Sequence, residues 1–384
     1  MTSSRRTADS PASLLIIADP GLPTRRLRRI QDDLVRRLET TTPGGVRLLT
    51  RTGTVRVRPD DTIDLGVAAD LAPDDRAVDA TILLTEMPRH AGGHPLVAET
   101  FADQRVAVVS CPTLGVLFPR HRLVRTILAC AARLLDAKED RGADGAEDAA
   151  PRTDAETGRG SQHWNRWKRH PATGHLSLFA HTITGVPRTV LGMVAANDPW
   201  RTAPKLSSAM AAAAGVGAFG VFYSSIWQMS DALSTARLLS IGVLAVVLMT
   251  AWLLVSNRLW DPPAKERLST VVALYNASTV LTLLLCVLVL YAALVVLILL
   301  AGLVVIDPEF MASTLGTGRV GFTNYLDIAW MSAAMGVVAG ALGSSFDSQT
   351  DLRRLTHGQR ERQRRLTEES REGSDGAARG THRG

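Results

Sequence analysis

Up to about residue 200 short apolar runs alternate with charged stretches, whereas between Leu206 and Gly343 apolar residues follow one another almost without interruption. The first pattern is that of a domain folded in water, the second that of helices in lipid. The longest run, residues 271–306, contains neither a charge nor a proline. As one helix it extends roughly 54 Å at about 1.5 Å per residue, well beyond a hydrocarbon core of about 30 Å. Two crossings inside it would need a turn within LLLCVLVLYAAL, where no turn residue stands and unpaired backbone is prohibitive. One long helix is expected, crossing as residues 279–306 and extending inward through residues 265–278, with tilt absorbing the excess.

Three further apolar stretches, residues 206–227, 238–255 and 328–345, complete an all-α transmembrane four-helix bundle in a membrane domain of residues 205–346. Trp200 and Trp227 frame the first span and Trp260 closes the second, as interfacial tryptophans do. Residues 307–327 read as a polar loop. Arginine and lysine gather before span one, between spans two and three and after span four, while the other two connections hold only Arg237 and Arg319. The positive-inside rule then places both termini in the cytoplasm of a multi-pass protein of the cell membrane.

In the first half, residues 13–19 (SLLIIAD) form a continuous apolar run of the kind found in a parallel strand buried on both faces. A helix over residues 24–39 follows, with Leu27, Ile30, Leu34, Val35 and Leu38 on one face and Thr24 as its N-cap. Residues 46–57 predict one or two strands around Gly53, residues 80–88 and 105–117 two more, and residues 120–135 a second amphipathic helix. This is an α/β domain of residues 13–137 with an open, mostly parallel sheet. Residues 1–12 read as a disordered start and residues 138–162 as an acidic disordered linker or surface insertion. Residues 163–204 form a juxtamembrane segment. Its alternating stretch HLSLFAHTIT is a further strand that either rejoins the sheet or stands apart, and an interfacial helix follows it. Residues 347–384 make a basic cytoplasmic tail.

Composition narrows the picture only a little. Among 384 residues, Lys and Arg number 43 against 37 Asp and Glu, a net charge of +6 that is diffuse and accompanied by no nucleic-acid motif. Arg353, Arg354, Arg360, Arg362, Arg364 and Arg365 follow the last span and favour anionic lipid headgroups at the bilayer surface. Cys111, Cys130 and Cys286 have neither disulfide nor zinc spacing and read as buried free thiols. The apolar stretch after Arg5 and Arg6 is too short for an export signal, so the N-terminus is expected to stay inside.

Candidate chemistry is confined to two places. The turn after the first strand brings Asp19, Gly21, Thr24, Arg25 and Arg26 to a helix N-terminus, a candidate anion site, although neither GxGxxG nor GxxxxGK[ST] is present. His90 and His94, with Glu86, Glu99 and His121, are the candidate metal ligands, in what reads as a glycine-rich loop without an HExxH helix. Ser110 and Cys111 end a strand but lack the GxSxG elbow, so no catalytic residue is assigned and no cofactor is implied. The span cores carry no Asp, Glu, Lys, Arg or His, against ion-coupled transport. They carry small-residue stripes instead, Gly217 and Gly220 in span one and Gly336 and Gly340 in span four, suited to packing within the bundle or to a homo-oligomer.

The stretches LGMVAANDPWRTAPKLSSAMAAA, YNASTVLTLLL and AGALGSSFDS, with IADPGLP, LLTEMPR and VAVVSCPTLG, resemble an uncharacterised family of actinobacterial four-span membrane proteins with an N-terminal cytoplasmic α/β domain. The resemblance covers most of residues 13–365 and implies the same two-part architecture. Members sometimes carry the label methylene-tetrahydrofolate dehydrogenase, which the motifs of this chain do not support. The expected role is a sensory, scaffolding or regulatory membrane protein working with another envelope protein. The alternatives are a membrane-bound enzyme with a cytoplasmic phosphate or metal site, and a small oligomeric channel or exporter.

Overall fold

The structure is a computed structural model that describes residues 11–41, 45–55, 64–66, 68, 78–91, 94–139, 165–169, 175–199, 207–260 and 269–343. The expected polar start, nearly all of the acidic linker, the Trp200 and Lys265 flanks and the basic tail lie outside these residues. Two compact units are present, one through Ala196 and one from Asn197.

The first unit is a mixed α/β sheet with helices. Its order of elements is β1 (Ala12–Ala18), α1 (Leu22–Thr41), β2 (Val46–Thr52), β3 (Ala80–Thr85), β4 (Arg89–Ala91), β5 (His94–Phe101), β6 (Val106–Ser110), a 3-10 turn (Pro112–Leu114), α2 (Pro119–Glu139), β7 (Asn165–Arg169), β8 (Leu176–Ala180) and α3 (Thr182–Asn197). The strands lie in the order β2-β1-β3-β6-β5-β8-β7, with β4 on β5. Strand β1 is buried along nearly its whole length because both its faces are covered. Leu14, Ile16 and Ala18 pack with the apolar stripes of α1 and α2, whereas Leu15 and Ile17 pack with Val55, Ala68 and Val108.

The sheet departs from the mostly parallel one expected. Only β2, β1, β3 and β6 run parallel, and β5 is antiparallel to β4, β6 and β8, as β8 is to β7. The connections explain it. The chain passes from β5 to β6 in four residues, 102–105, far short of the crossover a parallel neighbour needs. Because β8 pairs with β5, the acidic linker is an insertion within the α/β domain rather than its boundary. Helix α1 also begins earlier than expected. Thr24 lies inside its first turn and donates its hydroxyl to Asp19 O (2.7 Å) instead of capping the helix.

The second unit is helical. It comprises α4 (Ser207–Phe222), α5 (Ser224–Ala232), α6 (Thr235–Ser256), α7 (Ser269–Val305), α8 (Pro308–Leu315) and α9 (Phe322–Gly343). Helix α9 packs on α4, α6 and α7, and α4 and α6 pack on α7. The apolar run of residues 271–306 lies, all but its last residue, in one unbroken helix of 37 residues, so it does not turn back on itself. Helices α6 and α7 are each long and apolar enough to cross a membrane, and α4 with α5 makes a third candidate if that bent pair counts as one span.

Two expectations change here. Residues 206–227 do not form a straight span, because the chain bends by 85° at Tyr223. The backbone at the bend remains bonded, since Trp227 Nε1 donates to Gly220 O (2.9 Å) and Ile226 N to Tyr223 O (3.0 Å). The polar loop after α7 contains α8, which Asp307 caps by accepting from Glu309 N and Phe310 N, with Gly316 left-handed at its end.

The glycine stripes face neighbours within the chain. A Cβ on Gly336 would strike the Ala213 carbonyl, one on Gly220 the Ser332 side chain, and one on Gly217 the Ile298 side chain at 2.7 Å. Gly340 is buried on the same helix as Gly336. Close approach of α4 and α9 therefore accounts for Gly220 and Gly336, and packing of α4 on α7 for Gly217. The buried polar residues of α7 bond locally: Ser278 Oγ donates to Tyr275 O and Thr282 Oγ1 to Ser278 O, and Asn197 Nδ2 donates to Thr282 Oγ1.

Candidate functional site

Strand β1 is flanked by β2 on one side and β3 on the other, so the step from β1 to β2 and the step from β2 to β3 run in opposite directions across the sheet. In an open α/β sheet the carboxyl ends at such a reversal frame the usual ligand crevice. Asp19 stands there, fully buried, at the end of β1. Its carboxylate accepts from Val55 N (2.8 Å), Thr85 Oγ1 (2.9 Å) and Glu86 N (3.0 Å). Glu86 is buried beside it, with Oε2 3.5 Å from where a Cβ on Gly21 would lie. Gly21 itself has φ +103°, a conformation that favours glycine.

The five residues read as an anion site do come together in this turn, but the polar groups of Asp19, Thr24 and Arg26 point inward. Pro23 has no N–H, and Thr24 N and Arg25 N are already bonded to Asp19 O (3.2 Å) and Gly21 O (3.1 Å). Arg26 is buried and directs Nη1 to Cys111 O and Nη2 to Gly115 O, both at 2.7 Å. A phosphate in this turn would face the Asp19 and Glu86 carboxylates. The geometry instead fastens the ends of β1, β3 and β6 to one another.

Two further arginines meet the same 3-10 turn. Arg122 Nη1 donates to Leu114 O (3.0 Å), and the aliphatic stem of Arg188 lies against Gly115. Burial lowers the pKa of Arg26 and of Arg122, and burial followed by repulsion from Arg122 brings Arg188 down to about 10. All three remain cationic at neutral pH. Helix α3 reaches the turn closely, since a Cβ on Gly192 would strike the Pro112 carbonyl. Ser110 Oγ donates to Met87 O (2.8 Å) and lies 3.0 Å from Thr113 Oγ1, and burial pushes the Cys111 thiol up to about 12. Neither side chain is prepared as a nucleophile.

The candidate metal ligands are distributed as follows. His90 and His94 belong to the β4–β5 hairpin, not to a loop, and the register pairs His90 with Pro95 and Ala91 with His94. Neighbouring pairs project to opposite faces of a hairpin, so the two imidazoles diverge. His121 is exposed on the first turn of α2. Among the described residues no three His, Cys, Asp or Glu side chains converge as a metal site. Both ring nitrogens of His90 are shielded from solvent without a hydrogen-bond partner, and burial lowers its pKa to about 4.

Glu99 forms a polar cluster that the one-dimensional pattern hides. Its Oε2 lies 2.7 Å from Arg89 Nη1, and its Oε1 lies 2.9 Å from His175 Nε2 and 3.2 Å from Ser177 Oγ. The His175 ring also lies against Phe101, with centroids 5.2 Å apart. Glu99 and His175 are far apart in sequence and meet only because β8 pairs with β5, with Glu99 opposite Ser177. A lone glutamate in an apolar strand is the signal that pointed here: such a group is retained where it is paired. Comparison of the chain with protein-family models, with curated proteins and with solved structures found no match.

Proposed function

We propose that this chain is a multi-pass protein of the cell membrane whose α/β domain stands in the cytoplasm and serves as a sensory or scaffolding module for another envelope protein. The observation that carries the membrane part is the inverted surface of α6 and α7. Val243, Val247 and Val255 on α6 and Leu300 and Val304 on α7 are exposed, while Asn276, Ser278, Thr279 and Thr282 are buried. Such a surface is stable in hydrocarbon and not in water. In this reading α4 with α5, α6, α7 and α9 make four crossings, and the distribution of Arg and Lys sets both termini inside.

The scaffolding reading is favoured over the enzymatic one because, at the carboxyl ends of β1 and β3, Asp19, Thr24, Arg26 and Ser110 bond to the fold itself. The glycine stripes lend an oligomeric channel no support, because Gly217, Gly220 and Gly336 already pack inside the chain. Topology is tested by reporter fusions after Gly384 and within residues 316–321. The first should report cytoplasm and the second exterior, and the reverse pattern would sink the orientation. The scaffolding role is tested by cross-linking the full chain in its native membrane. One envelope protein recovered in constant proportion is expected. Turnover of a small molecule by the purified chain, with no such protein recovered, would overturn the reading.

A further inference from the structure

The α/β domain carries one surface that its water-soluble architecture does not explain. After the 3-10 turn the chain runs outward as Val116-Leu117-Phe118, with Leu117 71% and Phe118 77% exposed. Phe118 has φ +52°, a conformation costly for a bulky residue. The backbone thus holds the two side chains in solvent at an energetic cost. Close by, α3 presents Ile183, Pro187 and Leu191, spaced four residues apart on its exposed side, with Ile183 78% exposed. The two apolar elements belong to one face, because Arg188 of α3 packs on Gly115 and Gly192 on Pro112, at the base of the Val116–Phe118 tip.

This apolar tip is set in a basic frame. From residue 116 to 135 the chain holds four arginines and one histidine and no acid, and from 182 to 197 one arginine and no acid. Arg120, His121 and Arg125 are exposed on the first turns of α2. Helices α2 and α3 lack an acidic residue in their first turn, so the positive ends of their dipoles add to this charge. Exposed apolar side chains followed in the chain by the exposed Arg120 and Arg125 match the two layers of an anionic leaflet, acyl chains below and phosphates above. A protein partner of the same fit would need its own acid-rimmed apolar pocket, whereas an anionic leaflet supplies both layers over any area.

We propose that the Val116–Phe118 tip and the Ile183–Leu191 stripe form a lipid-docking surface, which seats the α/β domain on an anionic leaflet with Arg120 and Arg125 on the phosphates. This rests on the membrane reading above. In use, the surface makes the position of the domain depend on lipid charge.

The full chain in nanodiscs tests it, with an environment-sensitive fluorophore on Leu117→Cys, Asp103→Cys or Val247→Cys in separate preparations. The native Cys111, Cys130 and Cys286 are buried, and burial pushes the thiols of Cys111 and Cys130 up to about 12, so background labelling is low. Asp103 is exposed in the turn before β6, and Val247 is exposed on α6. Chain-brominated lipid should quench the probe at 247 in every membrane. It should quench the probe at 117 about threefold more in phosphatidylglycerol-containing discs than in phosphatidylcholine discs, and leave the probe at 103 unquenched. Combining Arg120→Glu with Arg125→Glu should return position 117 to the level of 103.

If 117 behaves as 103 does while 247 is quenched, the docking surface is wrong and the membrane reading stands. If 247 is unquenched, the membrane reading fails and takes the docking surface with it. Shielding of 117 that rises with protein concentration and is blind to brominated lipid would overturn the proposal in favour of a second copy of the chain.

Discussion

The two units of this chain obey opposite rules of burial. In the α/β unit Leu14, Ile16, Ile82 and Leu84 are sealed in the sheet, and α1 turns Arg28 and Arg29 to solvent. In the helical unit the exposed positions of α6 and α7 are Val247, Leu248, Leu297 and Leu300, and the polar residues Thr250, Asn276 and Thr282 are inside. Burial of apolar area drives the first arrangement. In the second, on the membrane reading, it cannot distinguish inside from outside, because lipid is as apolar as leucine. Close backbone contact and satisfied hydrogen bonds decide instead. The contrast also shows in the glycines: Gly21 and Gly115 are needed for positive φ, Gly220 and Gly336 for the approach of two helices.

The largest effect is expected at Glu99, where the α/β core holds a buried carboxylate against a guanidinium and an imidazole. Glu99→Ala leaves the Arg89 guanidinium and the His175 ring beside a cavity, and loss of one partner of a buried pair costs about 3–5 kcal/mol. Urea unfolding of the full chain, with hydrogen exchange of the β8 amides as a local readout, measures it. Replacing both partners, Arg89→Met with Glu99→Leu, should recover most of the loss. An effect of Glu99→Ala below about 1 kcal/mol would mean that the cluster is solvated and that the core is not dry there.

The contrast itself is tested by one substitution made twice. Val247→Asp on the outer side of α6 should cost about 2.5–3.5 kcal/mol in a bilayer, the penalty of a charge at the middle of a span. Arg28→Asp on the exposed side of α1 should change stability by less than about 0.5 kcal/mol. Equal effects would show that both exteriors meet the same solvent.

A smaller effect follows from His90. Its folded-state pKa is about 4 against the usual 6.5, because burial disfavours the imidazolium. Between these values the unfolded chain binds a proton that the folded chain refuses, so stability falls as pH drops from about 6.5 to about 4 and is unaffected above that window. Allowing for partial exposure, the loss is about 2 kcal/mol or less. The unfolding midpoint against pH, compared with that of His90→Leu, isolates it. The variant should lack the dependence, and identical curves would place the proton elsewhere.

What was legible in the sequence follows the same division. Strands β1, β3 and β6 announce themselves because both faces are buried and their residues read as unbroken apolar runs. Strand β5 does not, since HPLVAETF contains a proline and a glutamate whose partner Arg89 meets it only across the β4–β5 hairpin and whose partner His175 comes from a distant segment. Strand β7, NRWKR, is basic, and only its pairing with β8 makes it a strand. The break at Tyr223 has no proline or glycine to mark it and depends on where the Trp227 indole finds an acceptor. At the candidate site the Asp19 turn was legible as a turn. That its carboxylate would bond Val55 and Thr85, and that Arg26 would reach the Cys111 carbonyl, depends on strand order, which periodicity does not encode.

The smallest effect places α8 relative to solvent. Asp307 is exposed and caps a helix of eight residues through two backbone amides. In water, the amides released by Asp307→Ala are taken up by solvent, and the loss is about 1 kcal/mol. In hydrocarbon no solvent replaces the carboxylate, and each unsatisfied amide costs several times more. Hydrogen exchange at Glu309 and Phe310 in the nanodisc-embedded protein reads the difference. Fast exchange with a loss near 1 kcal/mol assigns α8 to water, as the Asp307, Glu309 and Gly316 pattern requires. A larger loss with slow exchange would move the border between the two solvents inward past α8, shortening the part of the helical unit that obeys the rules of water.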